Sequence, residues 1–167
     1  MLELLDTVGA EEYIALRNLW IKSSNGILLI YSIASKESFE KLRSIWLQIK
    51  EVKERQGEWQ GFPILLIGSK TDLEEQREVS TEEGRILANS FGCCHAECSA
   101  KMAFNVHEIM YNLVRKIRMK TERTKGKAEE IGKVKGKKRR GVCGGGYSLD
   151  KSILSIGVHK ILGSLVS

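Results

Sequence analysis

The segment Pro63-Ile64-Leu65-Leu66-Ile67-Gly68-Ser69-Lys70-Thr71-Asp72-Leu73 constrains the fold more than any other. Four aliphatic residues held between a proline and a glycine suit a strand buried on both faces, as in a parallel sheet, although periodicity alone leaves a short core helix open. The residues after Gly68 then stand at the carboxyl end of a strand. In open α/β sheets that edge is where ligands bind, so Ser69, Lys70 and Asp72 are candidates for recognition rather than packing. A polar turn after a core strand would explain any one of them taken singly.

The remaining pattern extends this strand into a fold. Leu2-Glu3-Leu4-Leu5-Asp6 reads as a strand ending on a carboxylate, and Glu11 to Lys22 as an irregular helix with Ile14, Leu16, Leu19 and Trp20. Asn25-Gly26 marks a turn before Ile27 to Ile33, the clearest β run in the chain. Ser35 to Ser38 can cap a helix whose Phe39, Leu42, Ile45, Trp46, Ile49 and Val52 recur at three and four residues, continuing to about Arg55. Gln56 to Gly61 is a loop, with Trp59 expected as a lid on the domain. Ser80 and Glu83 stand at capping-box spacing before Ile86, Leu87 and Phe91, and Gly92 closes that helix. Asn105 to about Arg118 carries Val106, Ile109, Met110, Leu113, Val114 and Ile117 on one face. The order predicts an α/β fold, a doubly wound parallel sheet.

Three motifs resemble those of the Ras family of small GTPases, in family order and each closing an apolar run. Leu5-Asp6-Thr7-Val8-Gly9-Ala10-Glu11-Glu12-Tyr13 is similar to the Mg²⁺-aspartate and switch II motif, Gly68-Ser69-Lys70-Thr71-Asp72 to the guanine-reading Asn-Lys-x-Asp motif, and Glu97-Cys98-Ser99-Ala100-Lys101 to the last guanine-contacting loop. The likeness is to fungal-type Ras-like proteins and runs from about Met1 to Arg118. It implies a P-loop NTPase fold that takes GTP or GDP with Mg²⁺. Asp6 would hold the metal; Gly9, Ser69, Lys70, Asp72, Ser99, Ala100 and Lys101 would meet the nucleotide. It also implies effector, exchange-factor and GTPase-activating partners. The strand predicted over Cys93 to Cys98 rests on the same resemblance. Its Cys and His residues make a poor zinc site, because alternation sends neighbours to opposite faces and no CxxC spacing exists.

The chain departs from the family in places that matter. The position of the catalytic glutamine is Ala10, whose methyl group can neither donate nor accept a hydrogen bond, so hydrolysis is expected to be slow or defective. Nowhere does G-x-x-x-x-G-K-[ST] occur, and nothing before Asp6 could serve as switch I. The expectation is therefore a sheet lacking its first two strands, one of which lies in the family between the Asp6 and Ile27 strands. Two functions of different class stay open: a Ras-type GTP-binding signalling switch, or a non-enzymatic pseudo-GTPase that binds protein partners, if not an incomplete gene product.

Charge divides the chain further. Residues 1–114 hold 12 Lys/Arg against 17 Asp/Glu, residues 115–140 hold 13 against 3, and the rest hold 2 against 1, so the nets are −5, +10 and +1. Three parts are expected: a Ras-like domain over 1–118, a basic disordered linker over 119–151, and an apolar tail over 152–167. The basic run would be attracted to an anionic membrane surface, and without aromatic residues for base stacking it is not expected to bind nucleic acid. The tail places Leu154, Val158, Ile161, Leu162 and Leu165 on one helical face, interrupted by Gly157 and Gly163. It ends Ser164-Leu165-Val166-Ser167, with no prenylation box, although Cys143 is a candidate for palmitoylation. With no signal peptide and no apolar run long enough to span a bilayer, the expected place is the cytosol or the cytoplasmic face of the plasma membrane. The four cysteines should there be reduced.

Overall fold

The computed structural model describes residues 2–7, 14–136 and 156–162. Its strands are β1 (Leu2–Thr7), β2 (Gly26–Ser32), β3 (Ile64–Ser69), β4 (Cys94–Glu97) and β5 (Ile156–Leu162). They form one sheet in the order β1-β5-β2-β3-β4. Every ladder in it is parallel. The helices are α1 (Ile14–Ser23), α2 (Lys36–Glu40), α3 (Leu42–Arg55), α4 (Thr81–Phe91) and α5 (Val106–Gly136), and a 3₁₀ turn covers Thr71–Gln76.

Strand alternation sorts the core into two layers. Ile27, Leu29 and Tyr31 of β2 and Leu66 of β3 pack with Leu42, Ile45 and Ile49 of α3 and Leu87 of α4. On the opposite face Leu28, Ile30, Leu65 and Ile67 meet Ile109, Leu113 and Ile117 of α5. Both faces of β2 and β3 are thus covered, which explains why their sequences are continuously aliphatic rather than alternating. Trp59 closes one edge of the first layer, its ring 5.8 Å from that of Trp46 in an edge-to-face contact. It acts as the expected lid.

Capping chemistry sets the helix starts. Ser35 accepts from the Ser38 amide at α2, and Ser80 with Glu83 forms a complete capping box at α4, whose end is closed by Gly92 in the left-handed region at φ 68°. The single helix expected from Ser35 to Arg55 is divided at Lys41, which ends α2 and begins α3.

Two segments differ from the sequence reading. α5 does not stop near Arg118 but continues to Gly136, so this part of the basic segment is helical rather than disordered. Lys, Arg and Glu supply half of residues 119–136, and these helix formers extend a helix already nucleated on the core despite the glycines at 126, 132 and 136. Within the apolar tail Ile156–Leu162 forms a strand, not an amphipathic helix. Gly157 costs a helix about 1 kcal/mol, and the β-branched Ile156, Val158 and Ile161 favour a pleated site. As β5 the segment pairs with β1 on one side and β2 on the other, filling the place that the sequence reading left vacant between them.

Candidate functional site

The carboxyl ends of β3 and β4 build one site. β3 ends at Ser69, whose hydroxyl donates to the Tyr31 carbonyl at 2.7 Å and so ties the end of β3 to β2. Lys70 follows in the left-handed region, at φ 64° and ψ 39°. A non-glycine residue there costs roughly 1–2 kcal/mol, a strain that persists only where the surroundings impose it. The imposing contact is close by: the Thr71 amide donates to the Cys98 carbonyl at 3.2 Å, and the Cys98 amide donates to the Gly68 carbonyl at 2.8 Å. These two bonds lock the loop after β3 against the loop after β4.

Asp72 stands on the first turn of the 3₁₀ segment with its side chain exposed. The buried Ser99 hydroxyl donates to its Oδ1 at 2.5 Å. That bond chiefly, with Lys101 and Lys70 adding, holds the Asp72 carboxyl below its ordinary range, so it is an anion and a pure acceptor at neutral pH. Ser99 is itself held: its amide and carbonyl both pair with Phe104, and its Oγ accepts from the Met102 amide at 3.1 Å. Ala100 and Lys101 lie exposed on the same tight loop. The structure therefore brings Ser69, Lys70, Asp72, Ser99, Ala100 and Lys101 to one edge of the sheet.

Sequence reasoning missed the residues that brace this edge. Arg77 grips Glu97 with two parallel bonds of 3.0 Å each and also holds Glu74, so the segment beyond Asp72 is clamped to β4. Burial pulls the Glu97 carboxyl upward, but hydrogen bonds from Arg77 and Thr81 outweigh it and leave it below the ordinary range. Asn105 at φ 60° donates its side-chain amide to the Glu97 carbonyl at 2.8 Å and closes the 99–105 loop. Asparagine's tolerance of the left-handed region was the available signal.

Asp6 is placed only by its backbone. It shares a rung of the sheet with Lys160, Leu28, Leu65 and Cys94, four residues back from the rung that joins Ser32 to Ser69. At about 3.3 Å per residue this is roughly 13 Å along the strands. Gly9 and Ala10 lie outside the described residues, as does Cys143.

A sequence model described as the Ras family matches residues 1–119. The chain belongs to the Ras family. It is also similar to a Ras-like protein of Laccaria bicolor, with 45% identity over 118 residues, 71% of this chain and 54% of that protein. The chain spans about half the length of the curated relative it matches. Ras-family proteins generally bind GTP or GDP with Mg²⁺ and interact with effectors, exchange factors and GTPase-activating proteins. The donor set fits such ligands in kind: an ionised, oriented acceptor with a lysine beside it suits guanine's N–H edge, and a carboxylate such as Asp6 suits a hard cation.

Proposed function

We propose that this chain is a Ras-type GTP- and GDP-binding switch with slow or defective hydrolysis. The observation that carries the proposal is Asp72, held as an anion by Ser99 and flanked by the strained Lys70. Its free acceptor sites would take the N1 and N2 hydrogens of guanine, while the Lys70 stem lies along the ring and amides near Ala100 meet O6. Adenine, which offers an acceptor at N1 and no amine at C2, would leave the carboxylate unpaired. Asp6 would hold Mg²⁺, which when bound offsets phosphate charge. Ala10 supports slow turnover because its methyl group cannot orient water.

The partners proposed are effectors, exchange factors and activating proteins that read residues 1–118. The basic residues between Arg115 and Arg140 would give reversible affinity for an anionic membrane at the cytoplasmic face, since each cation close to such a surface contributes about 1 kcal/mol. Competition titration tests the central assignment. GTP should displace a labelled guanine nucleotide where ATP does not, and Asp72→Asn should move the preference to xanthosine nucleotides. Equal displacement by ATP and GTP would remove guanine recognition from these residues.

A further inference from the structure

At the opposite end of β3 from Ser69 lies a cavity of about 510 Å³. One wall is Phe62, Pro63 and Ile64, leading into the strand; the other is α5, which contributes Lys116, Lys120 and Arg123. Six residues of β3 separate it from the base-reading edge, roughly 20 Å, so the two sites are distinct. Its size is that of a small-molecule site.

The wall is built, not incidental. The loop before β3 is fixed by Lys53, whose wholly buried ammonium donates to the Ser24 carbonyl at 2.9 Å and to Glu58 at 3.0 Å. Phe62 is then held between two cations, 4.7 Å from Lys53 Nζ and 4.9 Å from Lys120 Nζ. Lys120 also donates to the Glu58 carbonyl at 2.8 Å, and Lys116 donates to Cys94 Sγ at 3.1 Å. Burial lowers the Lys120 pKa, as expected of an ammonium drawn against apolar surface. Residues 116, 120 and 123 fall on one helical face, and their seven-residue span is about 10 Å long. Among the described residues none of the three has a carboxylate within ion-pair distance. Among the described residues no acidic side chain lines the cavity. The lining thiol, Cys93, is pushed up to about 11, chiefly by burial, so it is not a nucleophile at neutral pH.

We infer that this cavity binds a phosphate monoester carrying an apolar body, with the phosphate on Lys116, Lys120 and Arg123 and the apolar part against Phe62, Pro63 and Met119. Three cations with no carboxylate among the lining residues select an anion of more than one charge. The opposing apolar wall distinguishes this ligand from inorganic phosphate. The same chemistry occurs in a free metabolite and in an acidic lipid headgroup, so the test includes both.

The full chain is titrated calorimetrically with dihexanoyl phosphatidic acid below its micelle concentration, with glycerol 3-phosphate, and with vesicles containing phosphatidic acid. One molecule of the short-chain lipid should bind, about tenfold tighter than glycerol 3-phosphate, and excess GTP should not displace it. Lys120→Gln and Arg123→Gln should each weaken binding about tenfold. Met119→Trp, at a half-exposed position that tolerates substitution, should fill the cavity and weaken only the lipid, leaving glycerol 3-phosphate unchanged. Vesicle binding lost with the same variants assigns the membrane as the source, while vesicle binding insensitive to Met119→Trp assigns the soluble ligand. Equal affinity for the short-chain lipid and glycerol 3-phosphate, or affinity unmoved by all three substitutions, overturns the inference.

Discussion

Lys53→Met tests how the interior holds the loop that precedes β3. The native ammonium is wholly buried and donates to the Lys22 and Ser24 carbonyls and to Glu58. Methionine keeps the stem in the core but removes all three donors. Glu58 is 52% exposed and can turn to water, and the Lys22 carbonyl keeps the Gln56 amide as a donor at 3.3 Å. The Ser24 carbonyl has neither refuge, since Ser24 is buried. One orphaned buried carbonyl costs about 1–3 kcal/mol, and the lost charge-assisted bonds add to it. Relief from burying an ammonium offsets part of the total. The expected net is a destabilisation of about 2–3 kcal/mol, below the roughly 3–5 kcal/mol for a pair with no escape to solvent. Urea unfolding should show it as a lower midpoint with an unchanged slope, and thermal unfolding as a drop of roughly 5–10 °C. Lys50→Met, at a half-buried position one turn earlier whose ammonium meets Glu54 at 3.8 Å and the Trp46 ring at 5.4 Å, should cost no more than about 1 kcal/mol. If Lys53→Met matched that control, the buried ammonium would contribute nothing net and the reasoning would fail.

Gly84→Ala should destabilise although alanine is the better helix former, because the new Cβ would lie 2.5 Å from both His95 Nε2 and Tyr31 Oη; about 1–2 kcal/mol is expected by urea unfolding, and a gain in stability would refute the contact. Acid sensitivity should have two stages. His95, whose pKa burial depresses, favours the folded state above its unfolded value near 6.5 and loses that contribution as pH falls, so His95→Gln should flatten stability between about pH 7 and 5. Glu83, held at about 2 first by its bond from Lys36 and then by Ser80, contributes above its ordinary value of 4.5 and loses that as pH falls toward 2. Glu83→Gln should reduce the loss in that lower window, and an unchanged profile would exclude the pair. Deleting residues 152–167 should speed hydrogen exchange of the Leu2–Thr7 amides while Ile64–Ser69 stay protected, and equal protection of both would show that β1 is held without β5.

The elements legible in the sequence were those whose local signals agree with their tertiary setting. β2 and β3 announced themselves as uninterrupted aliphatic runs because both faces are covered, and α4 because its capping box is local. Motif spacing singled out Lys70, Asp72 and Ser99, and the structure places them at one edge of the sheet, with Ser99 bonded to Asp72. Features that depend on distant partners escaped. Lys53 lies four residues after Ile49 on the core stripe of α3, so its spacing pointed inward, but its charge pointed out, and only the carbonyls of Lys22 and Ser24 reconcile the two. The Arg77–Glu97 fork joins residues twenty apart, with no signal in either neighbourhood. In the tail, a helical periodicity and a strand's β-branched content competed within one short stretch, and pairing with β1 and β2 decided in favour of the strand.

That last decision bears on the site. Among the described residues β1 joins the sheet through β5 alone, so the distance between Asp6 and the base-reading edge is set by seven residues, Ile156–Leu162. Parallel pairing makes the setting digital. A slip of one residue between β1 and β5 would move Asp6 by about 3.3 Å along the sheet and exchange the two faces of β1, whereas the base-reading loops, tied to β2, β3 and β4, would not move. In the observed register Asp6 is level with Lys160 of β5. The two halves of the proposed site are thus held to different standards. The proposed base recognition rests on short, mutually bonded loops, and the proposed cation end rests on the register of one added strand.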